Sequence, residues 1–232
     1  MNDQLSSLKS VETSIDISSI ERKILEYQNQ GKSLFATSSF QSHSLPLLHI
    51  LSRIDNTIPV YFMNTGFLFP KTLMFAEQLA SDLGLYIIGL RSATPKVHQM
   101  DHEGRFYFTS DPDHCCYLNK IQPLEPILMK HDVWINGIRA DQSAHRKTMR
   151  EEEPAPYNTM RYHPMLSWDA RMIHRYVQEY DLPPHPMESD GYLSIGCEPC
   201  TSKFLSEGNE RNARWFGMNK TECGLHTQLI KK

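Results

Sequence analysis

Apolar blocks alternate with amphipathic blocks in the first part of the chain. Residues 18–30 carry apolar side chains at helical spacing, and Gly31 ends this segment. Leu34–Thr37 is a short apolar run typical of a buried strand, and the polar residues 38–44 lead from it into a leucine-rich helix. A strand, a polar loop and a helix in this order direct backbone N–H groups toward an anion. Because the loop lacks glycine, this signal is weak, and the loop taken alone favours a plain turn between strand and helix.

The next unit repeats this order more clearly. Residues 58–63 are rich in strand-forming side chains, residues 64–66 predict a turn, and Pro70 begins a helix that Gly84 ends. Residues 85–90 are a third predicted strand. Strands and helices alternating at these lengths indicate an α/β protein with a parallel twisted sheet and helices on both faces. Ligands bind such sheets beyond the carboxyl ends of the strands, where both loops are expected.

The second half of the chain is less regular, but it continues the alternation. A long loop is predicted over residues 91–114, where the pattern dissolves into polar residues. The further predicted elements are a helix that follows Cys115 and Cys116 and runs through Leu128, a strand at residues 133–138, an acidic loop at 151–156, a strand near 160–165, a helix from 167–169 to Tyr180, and an irregular segment at 182–195. These elements extend the same sheet.

The composition and net charge of the chain limit the classes of partner that it is expected to bind. The 232 residues carry a formal net charge of -3, with a pI of about 6.4, 40% hydrophobic and 22% charged residues. This balance predicts neither a nucleic-acid nor a membrane partner, and no run reaches transmembrane length. The first 32 residues contain acidic side chains and no continuous apolar run, so we expect no signal peptide and a cytoplasmic protein. In that compartment cysteines bind metals or react more often than they form disulfides.

Four of the five cysteines form two pairs. Cys115 and Cys116 are adjacent, and Cys197 and Cys200 follow about 80 residues later around a Glu-Pro dipeptide. Four thiolates suit either tetrahedral zinc or an iron–sulfur cluster. Adjacent cysteines strain to reach one small ion, whereas a cubane cluster presents its irons at separate corners. The spacing therefore favours a [4Fe–4S] cluster over zinc, and structural disulfides are a third alternative.

Cys223 lies apart from these pairs, ten residues from the end of the chain. Terminal segments are usually mobile, so a role in the core is not expected. Lys220 and His226 flank this thiol, and nearby cations favour the reactive thiolate. A thiol on such a segment suits a nucleophile that meets two partners in turn. The alternative is an incidental cysteine in a frayed tail.

Taken together, these motifs resemble the thiol-dependent assimilatory sulfonucleotide reductases. The resemblance extends from Ser33 to His226, and the cysteine pairs look like those of the subgroup that carries a [4Fe–4S] cluster and takes adenylyl sulfate. Its specific parts are residues 220–226 (KTECGLH), 211–215 (RNARW), 191–201 (GYLSIGCEPCT), 134–143 (WINGIRADQS) and 65–70 (TGFLFP).

The resemblance implies an adenine nucleotide alpha-hydrolase-like fold. It implies a nucleotide-binding domain with the iron–sulfur site over residues 1–206, of which 1–17 are expected to be flexible, and a mobile catalytic tail over residues 207–232. It further implies that Cys223 attacks the sulfonate sulfur of adenylyl sulfate, that AMP leaves, and that thioredoxin or a similar thiol carrier releases sulfite. This is the reductive step of sulfate assimilation toward cysteine.

Fixed cations must offset the repulsion between a thiolate and a sulfonated phosphate. Arg211 and Arg214 are three residues apart and would share a helical face, and Lys120 lies one helical turn after Cys116. Arg139 either faces the anion or pairs with Asp141. The expected substrate-binding residues are Ser38, Ser39, Phe40, Thr65, Gly66, Lys120, Arg139, Arg211, Arg214 and His226. The expected cluster ligands are Cys115, Cys116, Cys197 and Cys200.

Two departures from the family pattern leave open which nucleotide is the substrate. Asn64 stands where many members have an acidic residue, and Ser38-Ser39-Phe40 looks closer to the branch that takes 3'-phosphoadenylyl sulfate. The nearest alternative is therefore the same reaction on 3'-phosphoadenylyl sulfate. More distant alternatives are an ATP-dependent adenylating enzyme, which the missing glycine-rich loop disfavours, and a non-catalytic metal-binding regulator. The sequence is also compatible with a homo-oligomer.

Overall fold

A six-stranded sheet organises the protein. The computed structural model describes residues 15–203, 213–215, 217, 218, 220, 222–227 and 229. Its strands are β1 (Leu34–Thr37), β2 (Val60–Met63), β3 (Ile87–Leu90), β4 (Val133–Asn136), β5 (Glu152–Pro154) and β6 (Met160–Tyr162). They lie in the order β3-β2-β1-β4-β6-β5, and all pairs are parallel except β5 with β6.

The central strands are buried on both faces, because their side chains alternate between two separate cores. In β1, Leu34 and Ala36 face one core, while Phe35 faces the other together with Trp134 of β4. The rings of Phe35 and Trp134 are stacked with centroids 6.2 Å apart. A strand covered on both sides reads as a continuous apolar run, which is the pattern that the sequence shows. The predicted layered α/β architecture is confirmed.

Helices cover both faces of this sheet. They are α1 (Ser18–Asn29), α2 (Leu45–Ile54), α3 (Pro70–Leu83), α4 (Tyr107–Ser110), α5 (Pro112–Cys116), α6 (Gln122–Leu128), α7 (Ala170–Glu179) and α8 (Gly224–Thr227). Gly84 ends α3 with a φ of 63°, a left-handed conformation that glycine adopts without strain, and the Asp169 side chain caps α7 by accepting from Met172 N–H.

Each face has its own set of helices. The first core contains apolar residues of α1, α2, α3 and α7. The second core contains Ile121, Leu124 and Leu128 around α6, and Leu225 and Leu229 from the C-terminal segment pack into it. The end of the chain is thus part of the packed structure at these positions. The expected domain limits at residues 206 and 207 fall in a part of the chain outside the described residues.

Three predicted elements differ from the structure. Residues 151–156 were expected to form a loop, but they contain β5, whose acidic side chains have partners: Glu152 accepts from the Tyr27 hydroxyl, and Glu153 lies 3.2 Å from His163 Nε2. The expected loop at 91–114 contains α4 and the start of α5. Cys115 and Cys116 lie inside a helix that begins at Pro112 rather than ahead of one.

The strand order reverses direction at β1, with β2 on one side and β4 on the other. In open α/β sheets a crevice forms at such a switch point, outside the carboxyl ends of the strands. Thr37 and Asn136 are the last residues of the two strands that flank it. Within the described part of the chain, no helix has both the length and the apolar character needed to cross a membrane.

Candidate active site

A cavity of about 180 Å³ lies at this switch point. Its walls come from the carboxyl ends of β1, β2 and β4, from the start of α2 and from the C-terminal segment. Its lining combines the apolar side chains of Leu47, Leu48 and Phe62 with the cationic side chains of Lys120 and Arg214. A lining of this composition suits a ligand with an uncharged ring system and an anionic group.

The first loop follows β1 and is held in an uncommon backbone conformation. Phe40 has a φ of 55°, which is costly for an aromatic residue. Its ring is only 1% exposed and packs edge-on against Phe62 at 5.6 Å, while its backbone N–H donates to Ser38 Oγ at 3.0 Å. This anchoring turns the Ser38 and Ser39 side of the loop to the cavity.

The four paired cysteines line one small pocket beside this cavity. All five cysteines of the chain are free thiols. Burial and the neighbouring thiolates raise the pKa of Cys115 to about 12 and that of Cys200 to about 11. Among the described residues, no three His, Cys, Asp or Glu side chains are arranged to hold a single metal ion. A donor set of four thiols in one apolar pocket nevertheless has the chemistry of a thiolate-bound metal group.

Two buried polar side chains face the sulfur atoms of this pocket. Thr65 Oγ1 lies 3.3 Å from Cys197 Sγ, and Asn119 Nδ2 lies 3.7 Å from Cys115 Sγ. Asn119 is held in place by a reciprocal amide pair with Gln99, with distances of 3.0 and 2.5 Å. Both side chains therefore place a polar atom beside a cysteine sulfur.

Lys120 and Cys223 meet between the cysteine pocket and the cavity. A π-helical turn over Tyr117–Ile121 carries Lys120, a helical irregularity often found at functional sites. Its Nζ lies 3.8 Å from Cys223 Sγ. Burial alone would raise the pKa of Cys223, but the Lys120 ammonium, the Leu225 backbone N–H and the Arg214 guanidinium hold it below that of an ordinary thiol. Burial likewise opposes the charge on Lys120, yet the cysteines, Cys223 first, raise the pKa of Lys120.

Arg214 lies across the loop that holds the second cysteine pair. Its Nε donates to the Cys200 carbonyl at 3.2 Å and its Nη1 to the Ile195 carbonyl at 3.1 Å. The guanidinium covers the Cα of Gly196 so closely that a methyl group there would overlap it. Gly196 is thus required by this close approach of Arg214.

A buried ion pair holds Glu222, the residue before Cys223. Arg146 donates to both carboxylate oxygens of Glu222, from Nε to Oε2 at 3.1 Å and from Nη2 to Oε1 at 3.0 Å. The two side chains are 7% and 5% exposed. Such two-pronged pairs fix geometry as well as charge.

His226 is held from two sides. Its backbone carbonyl accepts from His145 Nε2 at 2.8 Å, and its Nδ1 accepts from Arg161 Nη2 at 3.0 Å. An Nδ1 that accepts leaves the ring proton of neutral His226 on Nε2. Arg161 itself is buried against Trp134, 4.6 Å from the ring centroid, and burial lowers the pKa of Arg161 to about 10 despite nearby Glu153.

Most of the predicted substrate-binding residues line the cavity, but not all of them. The lining includes Ser38, Ser39, Phe40, Thr65, Lys120, Arg214 and His226, together with Cys223. Arg139 does not line it and pairs with Asp141 at 2.9 Å, and the Gly66 carbonyl accepts from Lys96. Arg211 lies outside the described residues. The roles of all these residues stay predictions.

Sequence reasoning missed three residues of this region: Arg146, Glu222 and Gly196. Glu222 and Gly196 lie inside the motifs of residues 220–226 and 191–201, so their positions gave a signal that was not used. Arg146 lies in a polar, basic stretch, and only the structure distinguishes it, by its contact with Glu222 and its place in the cavity lining.

Comparisons with known proteins identify the family of the chain. A family model for the phosphoadenosine phosphosulfate reductase domain matches residues 33–203. An adenosine 5'-phosphosulfate reductase of Chelativorans sp. (strain BNC1) is 32% identical over 207 residues, covering 89% of this chain and 84% of the relative. Adenosine 5'-phosphosulfate reductase 1 of Bacillus subtilis (strain 168) is 32% identical over 202 residues, covering 86% of this chain and 87% of the relative.

Solved structures share the fold at lower identity. The phosphoadenylyl-sulfate (PAPS) reductase of Candida auris superposes with a TM-score of 0.60 at 19% identity, covering 80% of this chain and 98% of that one. The FMN adenylyltransferase of Candida glabrata, in complex with ATP, superposes with a TM-score of 0.56 at 12% identity, covering 78% of this chain and 60% of that one. The chain therefore belongs to the phosphoadenosine phosphosulfate reductase family, and it is an oxidoreductase that reduces a sulfonucleotide.

Proposed function

We propose that this enzyme reduces adenylyl sulfate to sulfite and AMP through an S-sulfonate on Cys223. The observation that carries the proposal is the contact of Lys120 Nζ with Cys223 Sγ, 3.8 Å apart, at the edge of the cavity. It supplies a thiol with a lowered pKa and a cation in the position where the anionic part of a nucleotide would enter. The adenosine then occupies the apolar part of the cavity at the switch point of the sheet.

The reaction needs several positive charges close together. A thiolate and each unit charge of the sulfonated phosphate repel by about 4 kcal/mol at about 4 Å and an effective dielectric constant near 20. Lys120 and Arg214 both line the cavity, and His226 presents Nε2 as its donor. In this proposal Lys120 and Arg214 neutralise the phosphate and sulfonate, and His226 donates to the leaving group or the sulfonate. Arg211 remains a further predicted cation.

The chemistry balances in two steps. The Cys223 thiolate attacks the sulfonate sulfur, the bond from sulfur to the phosphate oxygen breaks, and AMP leaves with that electron pair. A thiolate of a dithiol carrier then attacks Cys223 Sγ, and sulfite leaves with the electron pair of the broken S–S bond. The second thiol of the carrier resolves the mixed disulfide, so the carrier provides both electrons and Cys223 returns as a thiol. We propose that this carrier is thioredoxin or a similar protein and that the reaction takes place in the cytoplasm.

The proposed cofactor is a [4Fe–4S] cluster on Cys115, Cys116, Cys197 and Cys200. The support is that all four thiols line one pocket and that Lys120 lies between this pocket and Cys223. When bound, a cluster would fix the helix that carries Lys120 and add charge beside it. No electron has to pass through it, because the dithiol carrier supplies both. Thr65 and Asn119 would then be donors to the cysteine sulfurs.

Adenylyl sulfate is favoured over 3'-phosphoadenylyl sulfate by the names of the two bacterial relatives. The alternative rests on the first loop, whose Ser38, Ser39 and Phe40 resemble the other branch. A competition experiment separates the two. Both nucleotides, one labelled with ³⁵S, are offered together, and labelled sulfite is measured. Preferential use of 3'-phosphoadenylyl sulfate would reverse the assignment of substrate but not that of the reaction.

Trapping the intermediate tests the mechanism. Enzyme mixed with adenylyl sulfate in the absence of a thiol carrier should gain one sulfonate on the peptide that contains Cys223, detected by mass spectrometry. Cys223→Ser should bind the nucleotide with unchanged affinity and release no sulfite. Sulfite release by Cys223→Ser at a rate near that of the wild type would exclude the proposed mechanism, and consumption of ATP instead would point to an adenylating enzyme.

A further inference from the structure

We infer that Arg146 and Glu222 form a clamp that positions Cys223 against Lys120 and opens when the thiol is presented to its reductant. The inference rests on the proposed role of Cys223 as the nucleophile. Arg146 and Glu222 are positioning residues in this proposal, because they act through the backbone that carries the thiol. Neither residue has a role in the steps given above.

From the described residues, the carboxylate of Glu222 receives four hydrogen bonds. Oε1 accepts from Arg146 Nη2 and from the backbone N–H of Cys223, both at 3.0 Å. Oε2 accepts from Arg146 Nε and from Ser143 Oγ, both at 3.1 Å. A carboxylate has about four acceptor positions, so this one is fully used. One of its four donors belongs to Cys223 itself, and the carboxylate therefore holds the residue that bears the thiol.

Arg146 is fixed as firmly as its partner. Its Nη1 bonds to Gln142 Oε1, and its backbone N–H donates to Ser143 Oγ at 3.2 Å. The Ser143 hydroxyl therefore joins Arg146 and Glu222 a second time. Since both charges are almost fully buried, removing one of them leaves the other without compensation, which is far costlier than losing an exposed pair. The docked position of Glu222 is set by charge rather than by shape alone.

The clamp is linked to the exposure of the thiol by the chain itself. Glu222 and Cys223 are adjacent, and consecutive Cα atoms lie about 3.8 Å apart, so Cys223 cannot move far while the carboxylate stays in place. Cys223 is half-buried against Lys120 in this docked state. A protein reductant needs the sulfur in the open. The Arg146–Glu222 pair therefore separates each time the segment presents Cys223.

Alkylation of Cys223 in the nucleotide-free holoenzyme measures this opening. Iodoacetamide is used at about pH 9.5, above the ordinary cysteine pKa, so that the rate reports access more than ionisation. Modification is followed on the Cys223 peptide by mass. Glu222→Gln should be modified about tenfold faster than the wild type, and Glu222→Asp, which keeps the charge, should recover most of the difference. Glu26→Gln, which breaks the exposed pair of Glu26 with Lys23, is the matched control and should not change the rate.

A second variant keeps the test decisive if Glu222→Gln does not fold. Ser143→Ala removes one of these donors and should accelerate the modification a few-fold, while the melting temperature falls by only about 2–4 °C per kcal/mol lost, so the variant stays folded. Unchanged modification in Ser143→Ala, and in Glu222→Gln where it folds, would overturn the clamp. Failure of the proposed function has a different signature: no S-sulfonate forms on wild-type Cys223, whatever the alkylation rates are.

Discussion

Lys120 and Cys223 are separated by 103 residues in the chain, and their side chains meet at 3.8 Å. The lysine comes from a π-helical turn beside the cysteine pocket, and the thiol comes from the segment that precedes α8. Burial and opposite charge act against each other at this contact. The pKa of the thiol falls and that of the ammonium rises, so the contact shifts both groups toward their charged forms.

Lys120→Met should therefore raise the pKa of Cys223. Methionine keeps much of the length of the side chain and removes its charge, so burial then acts on the thiol with less opposition. The midpoint of the pH profile for alkylation of Cys223 should therefore move to higher pH. Lys71→Met, which removes a lysine of the exposed pair with Asp190, is the control and should leave the midpoint unchanged. An unchanged midpoint in Lys120→Met would show that the contact does not govern the thiol.

Gly196→Ala should displace Arg214. The added methyl group overlaps the guanidinium, which lies at the end of a flexible side chain, so Arg214 should move aside and lose its hydrogen bonds to the Cys200 and Ile195 carbonyls, at about 0.5–1.5 kcal/mol each. We expect a lower melting temperature and a large loss of sulfite release. The double variant Gly196→Ala/Arg214→Ala has room for the methyl group, so the two stability losses should not add. Additive losses would mean that the two residues do not compete for the same space.

Stability should fall with acid in a way that depends on His185. Burial, helped by Lys71, lowers the pKa of His185 to about 4, from 6.5 in an unfolded chain. Below pH 6.5 His185 becomes protonated in the unfolded state, whereas in the folded state it stays neutral down to about pH 4. The free energy of unfolding therefore decreases across this window as the pH falls. Between pH 7 and 5 this amounts to about 2 kcal/mol, measured by urea unfolding, and His185→Gln should lose that much less than the wild type.

A variant that is destabilised without a change in titration provides the control for this measurement. Ile24→Val in the first core should lower stability by about 0.5–1.5 kcal/mol at both pH values equally. If His185→Gln shows the same difference between pH 7 and 5 as the wild type, His185 is not the titrating group. His185 Nδ1 accepts from Met187 N–H at 3.2 Å, which is the arrangement of a neutral ring.

Cys116→Ser should remove the proposed cluster. The wild type is expected to contain about four iron atoms per chain and to absorb visible light, and the serine variant should lose most of both. Cys223→Ser is the matched control, because Cys223 is not among the proposed ligands, and its iron content should not change. Zinc in place of iron in the wild type would favour the alternative metal, and full activity of an iron-free Cys116→Ser protein would contradict a role for the cluster near Lys120.

Strands and helices whose hydrophobic pattern is uninterrupted could be predicted from the sequence alone. Leu34–Thr37 and Pro70–Leu83 were predicted with the observed limits, because their apolar spacing is not interrupted and Pro70 and Gly84 mark the ends of α3. The strand β5 was not predicted, since Glu152 and Glu153 are polar. Their partners, Tyr27 for the first and His163 for the second, come from other elements and cannot be read from the local pattern.

In the candidate site, too, some residues could be predicted from the sequence and others could not. Its cysteines and Lys120 could be selected from the spacing of the cysteine pairs, the position of Lys120 one helical turn after Cys116, and the resemblance of these stretches to the family motifs. The pair of Arg146 with Glu222 joins residues 76 positions apart, and Arg161 meets His226 across 65. Such contacts exist only once the sheet has brought the segments together, and neither arginine belongs to a motif.

The C-terminal segment also packs Leu225 and Leu229 into the core that contains Phe35 and Trp134. If the segment leaves its place, these leucines become hydrated, and hydration of apolar surface increases the heat capacity. The free energy difference between the docked and the released segment must therefore be a curved function of temperature. Docking loses its hydrophobic support on cooling, so the segment is released more readily in the cold, and the rate at which the enzyme meets its reductant carries this thermal signature.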